Sequence, residues 1–480
     1  MPAFSFLSSG VLIVLSAFLF SCAHPGCFFV QGIPLCAWFY FIPFLVLIQS
    51  VSYKKALLCG AFYGALAYGL FAYWLYSYSV YALIAVCVCY GLFFAIVALL
   101  LCFTSRAFPQ QCWLLHAGIL LAFEFLRSQT EFGFYYGIIG YSQWKIPLFI
   151  HTAYIGGVWG ISACIYLFAS LCAAMVKYKS FFRYRFSALS LFCCIALYIG
   201  IGNLVQPAGK KNQEEKKLTV ALIQNNPDPN KDGINEYRKE VESLLALTDQ
   251  ALAARPDIQL VVWPETAVVP DILKHYYSLA DYERHTLVVS LLSYLDEKPC
   301  AFLIGNNHAE MTTAGAEERF NSALYFEPKK TVLPPQPQIY NKVHLVPFSE
   351  FLPHNAAFLS SLFKSAYFKK PGNAVKLFSC ADSVCATPIC FEDTFPAFVH
   401  SMKKQGANLI VNLSNDSWAN SIACQYQHLA MAAFRSAENG IPTVRSTASG
   451  QTAVIDWRGK VISCAPAYEA CFICADVTIR

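Results

Sequence analysis

Three polar residues stand where strand-like apolar runs end: Glu265 follows LVVWP, Lys342 lies in YNKVHLVPFSEF and Cys390 lies in TPICFED. Functional groups of α/β sheets collect where strands end, and these three types fill distinct roles in nucleophilic catalysis. A thiol is strongly nucleophilic once ionised, and a nearby cation lowers its pKa. A carboxylate at hydrogen-bond range takes the proton and later activates the acyl acceptor. An ammonium stabilises an oxyanion beside a backbone N–H, here that of Phe391. Each residue taken singly has a plainer reading: a buried inert thiol, a helix-capping carboxylate after Trp-Pro, a solvated loop lysine.

The elements that must carry them read as follows. KLTVALIQNN (217–226) and IQLVVWPET (258–266) are strands, the second ended by Pro264 with Glu265 at its exit. CAFLIGNN (300–307), NSALYFE (321–327) and ANLIVNLSND (407–416) are further strands, and TAVIDWRGK (452–460) is a hairpin turning at Arg458-Gly459. Helical patterns cover 234–254 and 427–440, the latter ending at a glycine. Strands alternating with helices imply an α/β layered domain, one large domain over 209–480.

The rest of the chain is different in kind. Of 480 residues, 56% are hydrophobic and 14% charged, against about 25% charged in a soluble domain. Residues 1–208 hold only eleven charged side chains. Seven apolar stretches there approach the roughly 20 residues a spanning helix needs: 3–21, 28–49, 56–77, 80–103, 111–127, 151–176 and 187–205. The expectation is a seven-helix transmembrane domain over 1–208. The first stretch, without a basic leader, reads as a retained anchor, and the Gly-rich aromatic segment at 131–147 as re-entrant or interfacial. Lys54, Lys55, Arg106, Lys177, Lys179, Arg183 and Arg185 fall in loops on one side. That bias puts the N-terminus in the cytoplasm and residues 209–480 outside; Lys210 and Lys211, in a long domain, do not count.

The net charge of +5 comes without a basic stripe interleaved with aromatics, which argues against a nucleic-acid partner. Twelve of the 20 cysteines sit in the apolar half as small hydrophobes. No paired CxxC motifs point to a structural zinc. Cys380 and Cys385 leave a disulfide open in an oxidising compartment. Glu124 and Arg127, three apart on the fifth apolar helix, share a face. At membrane depth such a pair either ties helices together or anchors a lipid head group or the loop above it.

WPET, K-x-H-L-V-P-F-x-E-F and I-C-F-E-D, in that order, resemble the nitrilase superfamily, which implies a Glu-Lys-Cys triad on an α-β-β-α sandwich. NLSNDSW (412–418) and HLAMAAFRSAENGIPTVRSTASG (428–450) are similar to that superfamily too. Joined to a seven-helix half containing FEFLR (123–127) and GYSQWKIPLFIHTAYIGGVWGIS (140–162), the chain resembles the bacterial apolipoprotein N-acyltransferases over nearly its whole length. The resemblance implies Glu265 as general base, Lys342 as oxyanion stabiliser and Cys390 as nucleophile. It implies Glu350 as accessory acid and Glu392 and Trp418 as residues lining the site; His344 matches the motif too and is read as structural. It further implies an inner-membrane, multi-pass enzyme with a periplasmic catalytic domain. That enzyme would take an acyl chain from a phospholipid and pass it through a thioester to a diacylglyceryl-modified lipoprotein, with no metal or diffusible cofactor. The apolar loop at 353–368 is a candidate lid.

The sequence departs from that pattern in places. Phe391 stands where Tyr is usual, the segment after Gln224 lacks a Trp near Lys231, STASG (446–450) replaces a more Asn-rich form, and no final membrane helix precedes Arg480. Two other readings use the same residues: a membrane-tethered amidase with water as second substrate, and a non-enzymatic membrane scaffold. The intact triad argues against the scaffold.

Overall fold

The computed structural model describes residues 6–129, 133–179, 181–205, 216–229, 232–311, 315–352 and 368–479. The candidate lid, but for its last residue, lies outside the described residues, as do Glu131, Lys210 and Lys211. The chain divides into two compact units, Met1–Pro207 with Ala419–Glu438, and Ala208–Trp418 with Asn439–Arg480.

The first unit is helical: α1 (Phe6–Ala23), α2 (Cys36–Phe39), α3 (Ile42–Ile48), α4 (Tyr53–Phe71), α5 (Leu75–Tyr78), α6 (Val80–Ala107), α7 (Cys112–Ser128), α8 (Pro147–Ile150), α9 (Ala153–Tyr178) and α10 (Phe181–Leu204). Each of the seven apolar stretches overlaps a helix. Among the described residues, three helices are long and apolar enough to cross a membrane: Val80–Ala107, Ala153–Tyr178 and Phe182–Leu204. The stretch at 28–49 instead forms two short helices. Pro43 starts the second, where its missing N–H costs nothing. Helices α4 and α6 approach closely because Gly60 and Gly64 lack side chains: a Cβ on either would lie about 2 Å from the carbonyl oxygen of Phe94 or Tyr90.

Glu124 and Arg127 on α7 hold the segment that follows. Glu124 Oε1 accepts from the Ile139 N–H at 2.8 Å. Arg127 Nη1 donates to Tyr90 Oη at 2.8 Å and to the carbonyls of Phe134 and Tyr136 at 2.5 and 3.1 Å. The pair thus holds the segment that follows and, through Tyr90 of α6, also ties two helices.

The second unit contains β1 (Lys216–Gln224), α11 (Ile234–Ala254), β2 (Leu260–Val262), α12 (Ile272–Tyr277), α13 (Tyr282–Glu297), β3 (Ala301–Met311), β4 (Glu317–Phe326) and β5 (Gln338–Asn341). It continues with β6 (Leu377–Cys380), β7 (Ser383–Ala386), α14 (Pro396–Lys404) and β8 (Leu409–Ser414), then, after α15 (Ile422–Asn439), β9 (Thr443–Thr447), β10 (Ala453–Ile455), β11 (Val461–Cys464) and β12 (Cys471–Ile479). Two mixed six-stranded sheets result, ordered β12-β1-β2-β3-β4-β5 and β11-β10-β9-β8-β7-β6.

Alternation explains the layers. Leu218, Val220 and Leu222 of β1 meet Leu409, Val411 and Leu413 of β8 in one apolar core. Ala221 and Ile223 turn the other way, onto Val241, Leu244 and Ala251 of α11 and Val288 and Leu291 of α13. Burial on both faces is why these strands read as continuous apolar runs. On the second sheet, Val399 of α14 packs against Ile410 and Ile441.

One difference from the sequence reading stands out. The helix assigned to the polar half, α15, folds almost entirely within the first unit. There Gln427 accepts from Trp74 Nε1 at 3.0 Å and donates to the Pro25 carbonyl at 2.7 Å. Arg435 donates to Tyr141 Oη at 2.9 Å, and Glu438 takes the Val158 N–H at 3.0 Å, beside a kink in α9. Cys380 and Cys385 are both free: the β6–β7 register opposes Cys380 to Ser383 and Cys385 to Phe378, so the two are not paired across the strands.

Candidate active site

Lys342 follows β5, its N–H bonded to the Asn321 carbonyl at 2.8 Å, and its side chain is 1% exposed. Burying an ammonium is costly unless it is paired. Here Nζ lies 3.2 Å from Glu265 Oε1 and 3.0 Å from Glu350 Oε2. Asn321 Nδ2 bridges the same carboxylates, donating to Glu265 Oε1 at 2.7 Å and Glu350 Oε1 at 2.8 Å. Glu265 reaches this point because the chain leaving β2 crosses directly over Gly305, where a Cβ would lie 2.2 Å from the Pro264 carbonyl oxygen.

Burial alone would lower the Lys342 pKa; Glu265, Glu350 and Cys390 together carry it well above the ordinary lysine value, so it stays an ammonium. Burial would raise Glu350, but Lys342, the Asn321 amide and the Val346 N–H hold it below the usual carboxylate range.

Cys390 opens a 3₁₀ turn (Cys390–Thr394) in the loop after β7. Its φ of +50° is left-handed, a conformation that costs a non-glycine residue about 1–3 kcal/mol and persists only where its surroundings enforce it. The thiol is 8% exposed. Burial pushes it well above its ordinary value, Glu265 adds to this, and Lys342 pulls against it. Burial and Glu265 thus favour the neutral thiol, and Lys342 favours the thiolate.

Glu392 enforces the turn. Fully buried, it accepts from the N–H groups of Ile389 (2.8 Å), Val343 (2.7 Å) and His344 (2.9 Å) and from Tyr340 Oη (2.8 Å). One carboxylate thus ties the Lys342 segment to the Cys390 turn. His344 stacks on Phe395 at 4.5 Å and meets Phe398 edge-on at 4.5 Å, and burial lowers its pKa, as suits a structural, uncharged ring. Burial raises Glu392 from 4.5 to about 7, against its amide donors and Lys342. Because the folded value lies above the unfolded one, this group's contribution to stability is full below about 4.5 and is lost as pH rises through about 7.

Glu392→Gln sets an NH₂ against backbone N–H donors. We expect a loss of about 1–3 kcal/mol and a turnover rate lower by roughly one to two orders of magnitude, with KM little changed. The stability decline between pH 4.5 and 7 should flatten. Thermal unfolding across that range and steady-state kinetics check this; wild-type kinetics in the variant would show that the clamp does not position the site.

Phe391 is half-buried beside Phe395, ring centroids 5.0 Å apart. Trp418 lies in the turn after β8 and is 39% exposed. Glu124 and Arg127 belong to the first unit. Sequence reading missed Asn321, Asp393, Asp416 and Arg445. Arg445, on β9, is fully buried and bonds Asp393 Oδ2 at 3.0 Å and Asp416 Oδ2 at 2.6 Å. The available signal was a charged residue inside the strand-like run PTVRST, and an amide opening NSALYFE. Among the described residues, no group of three or more His, Cys, Asp or Glu side chains could hold a metal ion.

Two six-stranded mixed sheets with a buried Glu-Lys-Glu cluster beside a cysteine on a left-handed turn define a nitrilase-like carbon–nitrogen hydrolase domain, and the carbon-nitrogen hydrolase family profile matches residues 219–479. The apolipoprotein N-acyltransferase N-terminal domain profile matches residues 16–171. The chain is 36% identical to apolipoprotein N-acyltransferase 1 of Treponema denticola and 35% identical to that of Treponema pallidum, each comparison covering 98% of this chain and 90% of the relative. It is 26% identical to the apolipoprotein N-acyltransferase of Borreliella burgdorferi, over 94% of this chain and 86% of that one. The chain belongs to the apolipoprotein N-acyltransferase family.

Proposed function

We propose that the protein transfers a fatty acyl chain from a membrane phospholipid to the α-amine of the N-terminal diacylglyceryl-cysteine of lipoproteins. Cys390 Sγ attacks the ester carbonyl while its proton passes to Glu265. Lys342 Nζ and the Phe391 N–H stabilise the oxyanion. The C–O bond breaks, the lysophospholipid oxygen takes the proton from Glu265, and a thioester remains. The lipoprotein amine then attacks, Glu265 accepts its proton, the C–S bond breaks, the proton returns to sulfur, and the N-acylated product leaves. Glu350 holds Lys342 in place. No step calls for a metal or diffusible cofactor.

The observation that carries this reading is the paired, buried Lys342 ammonium, 3.2 Å from Glu265, in a chain 36% identical over nearly its full length to a named N-acyltransferase. Both substrates are held in the bilayer by acyl chains, each buried CH₂ contributing about 0.8 kcal/mol, so the work of lifting them into water is avoided if the enzyme itself sits in the membrane. On this reading the first 208 residues lie in the inner membrane, and residues 209–480, apart from α15, form the periplasmic catalytic domain.

Mass spectrometry of the purified protein mixed with phospholipid vesicles tests it. The expected result is an acyl mass on the Cys390 peptide that discharges onto a diacylglyceryl-cysteine peptide. No adduct, or an adduct lost to water equally fast with and without that peptide, defeats the proposal.

A further inference from the structure

The isolated bridge between Ile389 and Leu413 carries Cys390 alongside Ser414, the last residue of β8. Ser414 is fully buried, as is Arg445, which runs beside β8 on β9 in register with Asn412. Asn412 and Ser414, two apart, share a face of the strand, and the guanidinium spans both, Nη1 reaching Asn412 Oδ1 at 3.0 Å and Nη2 reaching Ser414 Oγ at 3.1 Å. The Ser414 oxygen is therefore pinned as an acceptor, and its single proton is left to donate. In the resting site that proton goes to Asp416 Oδ1 at 3.3 Å. This is long for a hydroxyl on a carboxylate, where about 2.5–2.7 Å is usual. Asp416 is already held by Arg445 at 2.6 Å through its other oxygen. The Ser414 proton is thus weakly engaged, out of water, beside the sulfur.

We propose that Ser414 is a further catalytic group, a hydroxyl that turns from Asp416 to Cys390 Sγ as the thiolate forms, with Arg445 as the positioning residue that holds its oxygen. This rests on Cys390 being the nucleophile. The S–H proton passes to Glu265, the negative charge appears on sulfur, and the Ser414 O–H rotates about its Cβ–Oγ bond to donate to it; no other bond changes. A hydroxyl bonded to the charged form favours that form, and the same bond is remade when the thioester releases the thiolate. The charged groups facing the thiol are Glu265 after β2, Lys342 after β5, Asp416 after β8 and Arg445 on β9, and a Ser414 hydrogen bond acts on it in the direction proposed.

The test is the pH dependence of iodoacetamide alkylation, read on the Cys390 peptide by mass spectrometry in the intact detergent-solubilised protein. Ser414→Ala should move the alkylation midpoint up by about one pH unit, slowing labelling roughly tenfold at fixed pH, while Ser414→Thr, which keeps the hydroxyl, should follow wild type. A role confined to packing would change the melting temperature and leave the midpoint in place. An unchanged midpoint in Ser414→Ala, or an equal shift in Ser414→Thr at unchanged melting temperature, overturns the assignment. These outcomes are read without lipid. A wild-type protein whose alkylation depends on Ser414 but which takes no acyl group from phospholipid would sink the proposed acyl transfer alone.

Discussion

Cys390→Ser should lower acyl transfer by at least about four orders of magnitude while leaving the fold intact. The exchange swaps sulfur for oxygen in a turn whose left-handed φ is set by its surroundings, so melting should move little. The loss is chemical. A thiol gives up its proton far more readily than an aliphatic hydroxyl, and burial already holds the Cys390 proton in place, so a serine there is beyond what Glu265 can deprotonate at neutral pH. Four decades correspond to about 5.5 kcal/mol of transition-state stabilisation. Removal of a serine hydrolase's nucleophile costs comparable or larger factors. Transfer of labelled acyl chains to a diacylglyceryl-cysteine peptide, with the acyl-enzyme trapped in parallel, makes the measurement. Transfer by the serine variant within tenfold of wild type would remove Cys390 from the nucleophile's role.

Lys342→Met should lose both activity and stability, and the stability loss should depend on pH in a definite direction. Loss of one oxyanion donor is worth about 10²- to 10³-fold. Displacement of Glu265, freed from its 3.2 Å contact, adds to that. Two carboxylates would then be left buried without their cation, a change that destabilises by about 3–5 kcal/mol. In the wild type the signs are clear. Lys342 is raised, so its contribution is full below the ordinary lysine value of 10.5 and is lost as pH rises through the folded value. Glu350 is lowered, so its contribution is full above the ordinary value of 4.5 and is lost as pH falls through the folded one. Without Lys342, Glu350 has burial and a neighbouring carboxylate, both of which favour its protonated form. The variant should therefore gain stability as pH falls from 7 to 5. Adding Glu350→Gln should restore part of what was lost, since the two residues share one network. Thermal unfolding of the single and double variants at pH 5 and 7 reads this. A Lys342→Met protein equally destabilised at both pH values, and unrelieved by the second change, would mean that the cluster's electrostatics do not hold the site.

Much of the second unit was legible beforehand because its signals are local. The helix at 234–254 coincides with α11, and the strands at 217–226, 258–266, 300–307, 321–327 and 407–416 overlap β1, β2, β3, β4 and β8 in turn. The turn at Arg458-Gly459 lies between β10 and β11, closed by the Asp456 N–H on the Lys460 carbonyl at 2.9 Å. The first unit was less legible. Apolarity marks a helix but not where it breaks, so 28–49 read as one span although Pro43 restarts the helix and the preceding 24–35 is loop. In the same way, α15 carries a soluble-looking pattern because Gln427, Arg435 and Glu438 are polar, and only their partners Trp74, Tyr141 and Val158 reveal its place.

By itself the sequence determined which atoms are available for the chemistry and where each strand delivers them, because a residue's type and the run preceding it are properties of a few adjacent positions. It determined the family as well, through motifs at Glu265, Lys342 and Cys390 whose order survives in any conformation. Only the tertiary structure decided what those residues meet. Asn321 spans two carboxylates that lie 85 residues apart in the chain. Glu392 clamps backbone amides, and Arg445 is buried between Asp393 and Asp416. A buried charge is tolerable only beside its counter-charge, and the counter-charges come from segments far apart in the chain that only the folded sheets bring together.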